Sequence, residues 1–386
     1  MNDNAKTNES TRTIAGADPL TSYLILSDLH LGAGGPLEDF LLWGPEPDGP
    51  SEANRAERAD RLGMIFFRFL QQQREEAIQR GAKPHLLLLG DVLDIWQARR
   101  HRQPTERAVS DILSAHTGVV AAIRQWIAAG HPVTWVLGNH DQPLLAPKPW
   151  ALLREIFPTL NDTVGGAPCH RYVDPSLGLV AEHGHQWDPL NRFRDLTKPN
   201  AGCVGRRIVE HLVNNIEPLF PLIDKGADLG VLVELLLHAA EGNRLPALDH
   251  LVPDIMHLVS RNGRPALRLI RGFHRALRGI LSGCEGVSTT LRAFRLERNY
   301  TIGSSAWRAL SAEGVRTLVC GHTHDVCVEE TVGEDGQSRW LANSGTWRPQ
   351  VHRREADGQW EVIQPLSAIR VEGEGAPVLL EAPLDQ

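Results

Sequence analysis

The chain has 386 residues, 42% hydrophobic and 23% charged, with a formal net charge of −7. This composition excludes a chain disordered as a whole and allows one domain with a large insertion. The acidic balance argues against a nucleic-acid binder working through an overall positive field. Five cysteines without a CxxC pair argue against a disulfide framework or a cysteine-rich zinc site and point to a reducing compartment.

Residues 1–20 are polar and lack the apolar core of a signal peptide. They are expected to be a disordered tail, and the chain to be cytoplasmic. No apolar run reaches the roughly 18 residues of a membrane span. From residue 21 short apolar runs alternate with segments of helical period. The runs are "YLILS", "HLLLLGD", "PVTWVLGN", "GLVAEHG" and "RTLVCG". They lack polar alternation, as expected of strands covered on both faces. Between the first two, Leu62, Ile65, Phe66, Phe69 and Leu70 share one helical face, with Gly81 as the stop. A second helix is expected over 105–129, with Val109, Ile112, His116, Val120, Ile123 and Ile127 on its buried face. Strand and helix in alternation predict a layered α/β fold.

Residues 191–305 interrupt this rhythm and predict a helical insertion. Nine arginines fall between positions 261 and 298, against Glu285 and Glu297, which suits either a solvated face or an anion- or membrane-facing surface. The insertion follows one ligand-bearing strand and returns before another, so both its ends are expected beside the same site. Beyond it, two segments place Asp-Gly between extended stretches, a hairpin signal. The core is thus expected over 21–190 and 306–372, with a C-terminal tail over 373–386.

Each apolar run ends in residues that can ligate a metal. Asp28 and His30 follow the first, Asp91 the second, Asn139 and His140 the third, His183 and His185 the fourth, His322 and His324 the fifth. In open α/β sheets, sites gather beyond the carboxyl ends of the strands. Imidazole with carboxylate and amide oxygen suits manganese, iron, zinc, nickel or cobalt. There are too many candidates for one tetrahedral ion. They suit a pair of ions about 3.5–4 Å apart, a layout fitted to displacement at phosphorus.

Taken in order, DxH, GDxxD, GNHD, a His-Gly pair and GHTH resemble the calcineurin-like metallophosphoesterases. The resemblance covers about 21–190 and 310–350. It implies a two-sheet mixed β-sandwich flanked by helices, with two divalent ions, manganese foremost, at the strand ends. By motif, Asp28, His30 and His324 hold the first ion, Asp91 bridges, and Asn139, His183 and His322 hold the second. His140 stands beside both as the group that stabilises or protonates the leaving oxygen, and a bridging hydroxide is the nucleophile. Asp94 and Asp141 either orient neighbours or cap the following helix. His185 either replaces His183 as ligand or contacts phosphate, and Trp96 is a candidate site wall. "SDLHLG", "GDVLDIW", "HGHQWD" and "NSGTW" are similar to the branch containing UDP-2,3-diacylglucosamine hydrolases, which carry a helical lid. His140 replaces the arginine usual there, and the insertion is longer. Arg268, Arg271 and Arg275 would contact substrate phosphates, with peripheral contact to the inner membrane surface through the insertion. A nuclease and a catalytically silent binding module remain as alternatives, with no stable nucleic-acid partner expected.

Overall fold

The computed structural model describes residues 20–34, 38–43, 52–98, 103–188, 190–203, 205–206, 209–210, 214, 315–333, 335–353, 360–373 and 375–383. Two five-stranded sheets face each other. The first contains β1 (Thr21–Leu26), β2 (Lys83–Leu89), β3 (Val133–Val136), β11 (Ser367–Glu372) and β12 (Val378–Glu381), in the order β12-β11-β1-β2-β3. The second contains β4 (Arg171–Asp174), β5 (Leu179–Glu182), β6 (Thr317–Cys320), β7 (Cys327–Val332) and β8 (Ser338–Asn343), in the order β4-β5-β6-β8-β7. In the first sheet β1, β2 and β3 run parallel. In the second, β5, β6 and β8 do. β9 (Gln350–Arg353) and β10 (Trp360–Ile363) form a separate antiparallel pair.

Side chains alternate across each strand, so an apolar run serves two layers at once. Tyr23 and Ile25 of β1 point between the sheets with Leu87, Leu89, Val136, Leu179, Ala181, Val319 and Ala342. Leu24 and Leu26 point the other way, into a core shared with the helices. Those helices are α1 (Glu52–Gln79), α2 (Ile95–Ala98), α3 (Thr105–Ala115), α4 (Thr117–Ala128) and α5 (Pro147–Ile156). The expected face of α1 is the buried one: Leu62, Ile65, Phe66, Phe69 and Leu70 are all in the core.

Two expectations need correction. The helix expected over 105–129 is two helices broken at His116, whose φ and ψ are −118° and 55°. The His116 ring is buried, and its Nε2 lies 3.1 Å from Glu38 Oε2 and 3.0 Å from the Gly32 carbonyl. This partnership draws the backbone out of the helix and ties α3 and α4 to the loop after β1. Within the expected C-terminal tail, residues 378–381 form β12, antiparallel to β11, with Leu380 against the core. The expected return of the 191–305 insertion beside the site lies outside the described residues; the strands on either side of it, β5 and β6, are parallel, with Leu179 beside Thr317.

Both expected Asp-Gly hairpin segments pair as antiparallel strands, β7 with β8 and β9 with β10. Among the described residues Cys169, Cys203, Cys320 and Cys327 are free thiols, and no helix is long and apolar enough to cross a membrane.

Candidate metal centre

The parallel strands deliver their carboxyl ends to one place. Beyond β1 and β2 the pairing continues through the loops: Asp28 N–H donates to the Gly90 carbonyl (3.0 Å) and His30 N–H to the Asp91 carbonyl (2.9 Å). Seven non-glycine residues among those described have a positive φ, and five of them are Asp28, His30, Asp91, His322 and His324. Left-handed backbone is unfavourable for residues with a Cβ. Concentrated at candidate ligands, it marks turns shaped by the site. Two glycines allow the loops to close. A Cβ at Gly138 would strike the carboxylate and backbone nitrogen of Asp91, and one at Gly321 would strike Ser27 and the Asp28 carboxylate.

Three groups of potential ligand atoms form among the described residues, each with its atoms within 4.8 Å of one another: Asp28, His30 and His324 make one, Asp91, His183 and His322 another, and His30, Asp94 and His140 a third in which Asp94 faces both rings. The first is the set that motif order assigned to the first ion; in the second group, His183 and His322, assigned to the second ion, stand with Asp91, the assigned bridge. The groups adjoin: His30 Nε2 is 3.7 Å from Asp28 Oδ1 and 4.0 Å from Asp91 Oδ2, and His183 Nε2 is 3.1 Å from Asp91 Oδ2 and 3.9 Å from Asp28 Oδ1. Asp28 Oδ1, Asn139 Oδ1 and His183 Nε2 are buried without a hydrogen-bond partner. Buried polar atoms are otherwise nearly always satisfied, so these orphans, an oxygen and nitrogen donor set, fit divalent ions.

Hydrogen bonds to acceptors fix the ring tautomers. His183 Nδ1–H donates to the Leu89 carbonyl at 2.9 Å, which turns Nε2 toward the carboxylates. His30 Nδ1–H donates to Asp94 Oδ2 at 3.2 Å, with the same result. Asp94 Oδ1 also accepts from His140 Nδ1–H at 2.8 Å. Asp94 therefore orients a ligand and the neighbouring histidine together, and its Oδ1 caps α2 by accepting from Gln97 N–H. Asp141 accepts from the backbone of Val92, Leu93 and Gly138 and so clamps the β2 and β3 loops together.

Electrostatics point the same way. Burial alone would raise the carboxyl groups. Nearby histidines overcome it and hold Asp28, Asp91 and Asp94 below the ordinary carboxylate range. Conversely, burial opposes charge on His30 and His183, yet the carboxylates lift them to about 10 and about 9. Burial prevails at His324, which falls to about 4, and at His185, which lies well below its ordinary value. Asp141 rises to about 6 through burial and the charge of Asp91. Ionised carboxylates held out of water need compensating positive charge, which divalent ions would supply in place of protons on the rings.

His185 lies outside all three groups. Its ring stands 5.5 Å from that of His183 and 5.5 Å from that of Phe193, and its buried Nδ1 has no hydrogen-bond partner. Trp96, the candidate wall, stacks on His140 with centroids 4.1 Å apart and an interplanar angle of 29°. Arg268, Arg271 and Arg275 lie outside the described residues. Sequence reasoning missed Asp188, fully buried, whose Oδ2 accepts from His322 Nε2–H at 3.0 Å. Its only signal was a carboxylate in the same short loop as His183, "HGHQWD".

Two mixed sheets with an imidazole and carboxylate cluster at their strand ends define a metal-dependent hydrolase of the metallophosphoesterase class. The calcineurin-like phosphoesterase family model matches residues 21–233, more than half of the chain, and the chain belongs to that family. His322 and His324 lie beyond the matched range, and the fold returns them to the site. Two solved structures align with 95% of this chain. A conserved protein from Streptococcus pneumoniae TIGR4, described as a predicted phosphoesterase, has 10% identity over 92% of its own length and a TM-score of 0.29. The sulfate thiohydrolase SoxB of Thermus thermophilus, in complex with glycerol, has 12% identity over 57% of its length and a TM-score of 0.36. These likenesses are too distant to speak for substrate. No curated protein matches the chain.

Proposed function

We propose that this protein hydrolyses a phosphoester bond with two divalent ions, one held by Asp28, His30 and His324 and the other by Asn139, His183 and His322, with Asp91 between them. The observation that supports the reading is the meeting of Asp28, His30 and His324, and of Asp91, His183 and His322, with Asp28 Oδ1, Asn139 Oδ1 and His183 Nε2 buried and unpartnered. When bound, such ions acidify water into a nucleophile at neutral pH and polarise phosphoryl oxygen.

The chain's own residues supply the rest. His140 keeps Nδ1–H on Asp94 and its ring against Trp96, so its Nε2 is the atom placed to deliver a proton. A proton matters most when an alkoxide departs, because phosphate leaves readily as an anion. His140, standing where the UDP-2,3-diacylglucosamine hydrolase branch has arginine, therefore favours an ester over a phosphoanhydride. Arg268, Arg271 and Arg275 would contact further phosphates of a large anionic substrate.

The test is a panel assayed with added manganese: p-nitrophenyl phosphate, bis-p-nitrophenyl phosphate, an alkyl phosphate, a UDP-sugar and single-stranded DNA. Turnover of esters, with the alkyl ester most sensitive to His140→Ala, supports the reading. Turnover of the UDP-sugar alone would reassign the site to phosphoanhydrides. No metal-dependent turnover of any member would leave a binding module.

A further inference from the structure

Asp188 takes part in no ligand group, yet it is fully buried beside one. Its Oδ2 accepts from His322 Nε2–H (3.0 Å) and from the Asn191 side-chain amide (2.8 Å), and its Oδ1 accepts from Leu190 N–H (2.9 Å). Its carbonyl accepts from the N–H groups of Asn191 and Arg192. The Leu190 carbonyl in turn accepts from Gly205 N–H at 2.9 Å, closing the 190–205 stretch into a loop rooted on Asp188. That loop touches the centre elsewhere too. Gln142, two residues after His140, donates to the carbonyls of Leu196 and Lys198, and Phe193 packs with Trp96.

We propose that Asp188 is a positioning residue: it fixes the proton of His322 on Nε2, so that Nδ1 is the nitrogen presented to the second ion, and it couples loading of that ion to the ordering of residues 190–206. The chemistry is one of tautomers. An ionised carboxylate accepts hydrogen bonds and donates none, so facing Nε2 it requires the proton there. Carboxylate partners of ligand histidines typically change metal affinity about 10–100-fold. The coupling follows because the same two oxygens hold His322, Leu190 and Asn191. This rests on the dinuclear reading above, but the tautomer can be measured without metal.

The discriminating variant is Asp188→Asn. Its amide keeps an oxygen for Leu190 N–H and turns an NH2 group toward His322. Nε2 must then accept, and the proton moves to Nδ1, the ligating position. In metal-free protein labelled with 15N-histidine, the wild type should show His322 as the Nε2–H tautomer and Asp188→Asn the Nδ1–H tautomer. Calorimetric titration with Mn2+ should show one of two ions bound about 10–100-fold more weakly in the variant. Hydrogen exchange over 190–206 should slow on adding Mn2+ to the wild type and not to the variant. An Nδ1–H tautomer in the wild type overturns the proposal without need of a folded variant. A tautomer shift with unchanged ion affinity overturns the role in ligation, and equal slowing of exchange in both overturns the coupling. A wild type that binds fewer than two ions instead removes the dinuclear reading and the second-ion role with it, while the tautomer still decides whether Asp188 sets the proton.

Discussion

Replacing Asp94 with asparagine separates two duties that one carboxylate performs. Asp94 Oδ2 holds His30 and Oδ1 holds His140, both through Nδ1–H, in a fully buried position. Hydrogen bonds to a charged group contribute about 1.5–3 kcal/mol each. Asparagine keeps one acceptor oxygen, so about one such bond is lost and one histidine faces an NH2 group. At 1.36 kcal/mol per tenfold change, that corresponds to roughly 10–150-fold, divided between turnover and ion affinity. Steady-state kinetics with p-nitrophenyl phosphate across a manganese series separates the two, since kcat at saturating metal reports His140 and the metal half-saturation point reports His30. His140→Ala should lower kcat by about 10²–10⁴-fold and leave the half-saturation point nearly unchanged. In that background Asp94→Asn should have little further effect on kcat, because no imidazole remains to position. If the two substitutions multiply independently in kcat, Asp94 does not act through His140 and the relay is wrong.

Four further outcomes follow from the geometry. Gly138→Ala should abolish tight metal binding while leaving far-UV circular dichroism near wild type, because its Cβ would occupy space held by Asp91; a normal Mn2+ isotherm would refute the close approach. Chelation should lower the melting temperature, with manganese at about 100 times its Kd restoring about 2.7 kcal/mol. Ion affinity should strengthen as pH rises toward the values near 9 and 10 of His183 and His30, because binding must displace their protons; a pH-independent isotherm would contradict this. His116→Gln should cost about 3–5 kcal/mol by breaking the buried pair with Glu38. His116 is raised above its ordinary 6.5, as its contacts with Glu38 outweigh burial. Its contribution is therefore full below that value and is lost as pH rises through the raised one. Glu38 is lowered, so its share is lost as pH falls through the depressed value. Melts should show the gap between wild type and variant narrowing in alkali; a gap that widens there would show the pair to be neutral.

The parallel strands were legible because burial on both faces removes polar residues from the run, as in "HLLLLGD" over Leu86–Leu89. The gathering of the candidate ligands was legible because a strand end is a fixed address: whatever follows a buried run emerges at the same pole as its parallel neighbours. Elements answering to weaker constraints escaped. β4 buries only Tyr172 and presents no apolar run. β12 is an edge strand whose Leu380 alone reaches the core. The break at His116 depends on Glu38, almost eighty positions away, and no local propensity encodes it. Asp188 was hidden for the same reason, since its value lies in reaching His322 across 134 positions.

The left-handed turns at Asp28, His30, Asp91, His322 and His324 also bear on how this protein would respond to selection. Each Cβ there carries a cost of about 1 kcal/mol that glycine would remove. The chain therefore keeps its ligands against a standing gradient in stability. A screen for heat resistance run without metal would reward glycine at these five positions before it touched the core, and its hardiest survivors would be inert. Thermostabilising this scaffold calls for selection under limiting divalent metal, so that each ligand's contribution to the loaded state exceeds what its backbone costs.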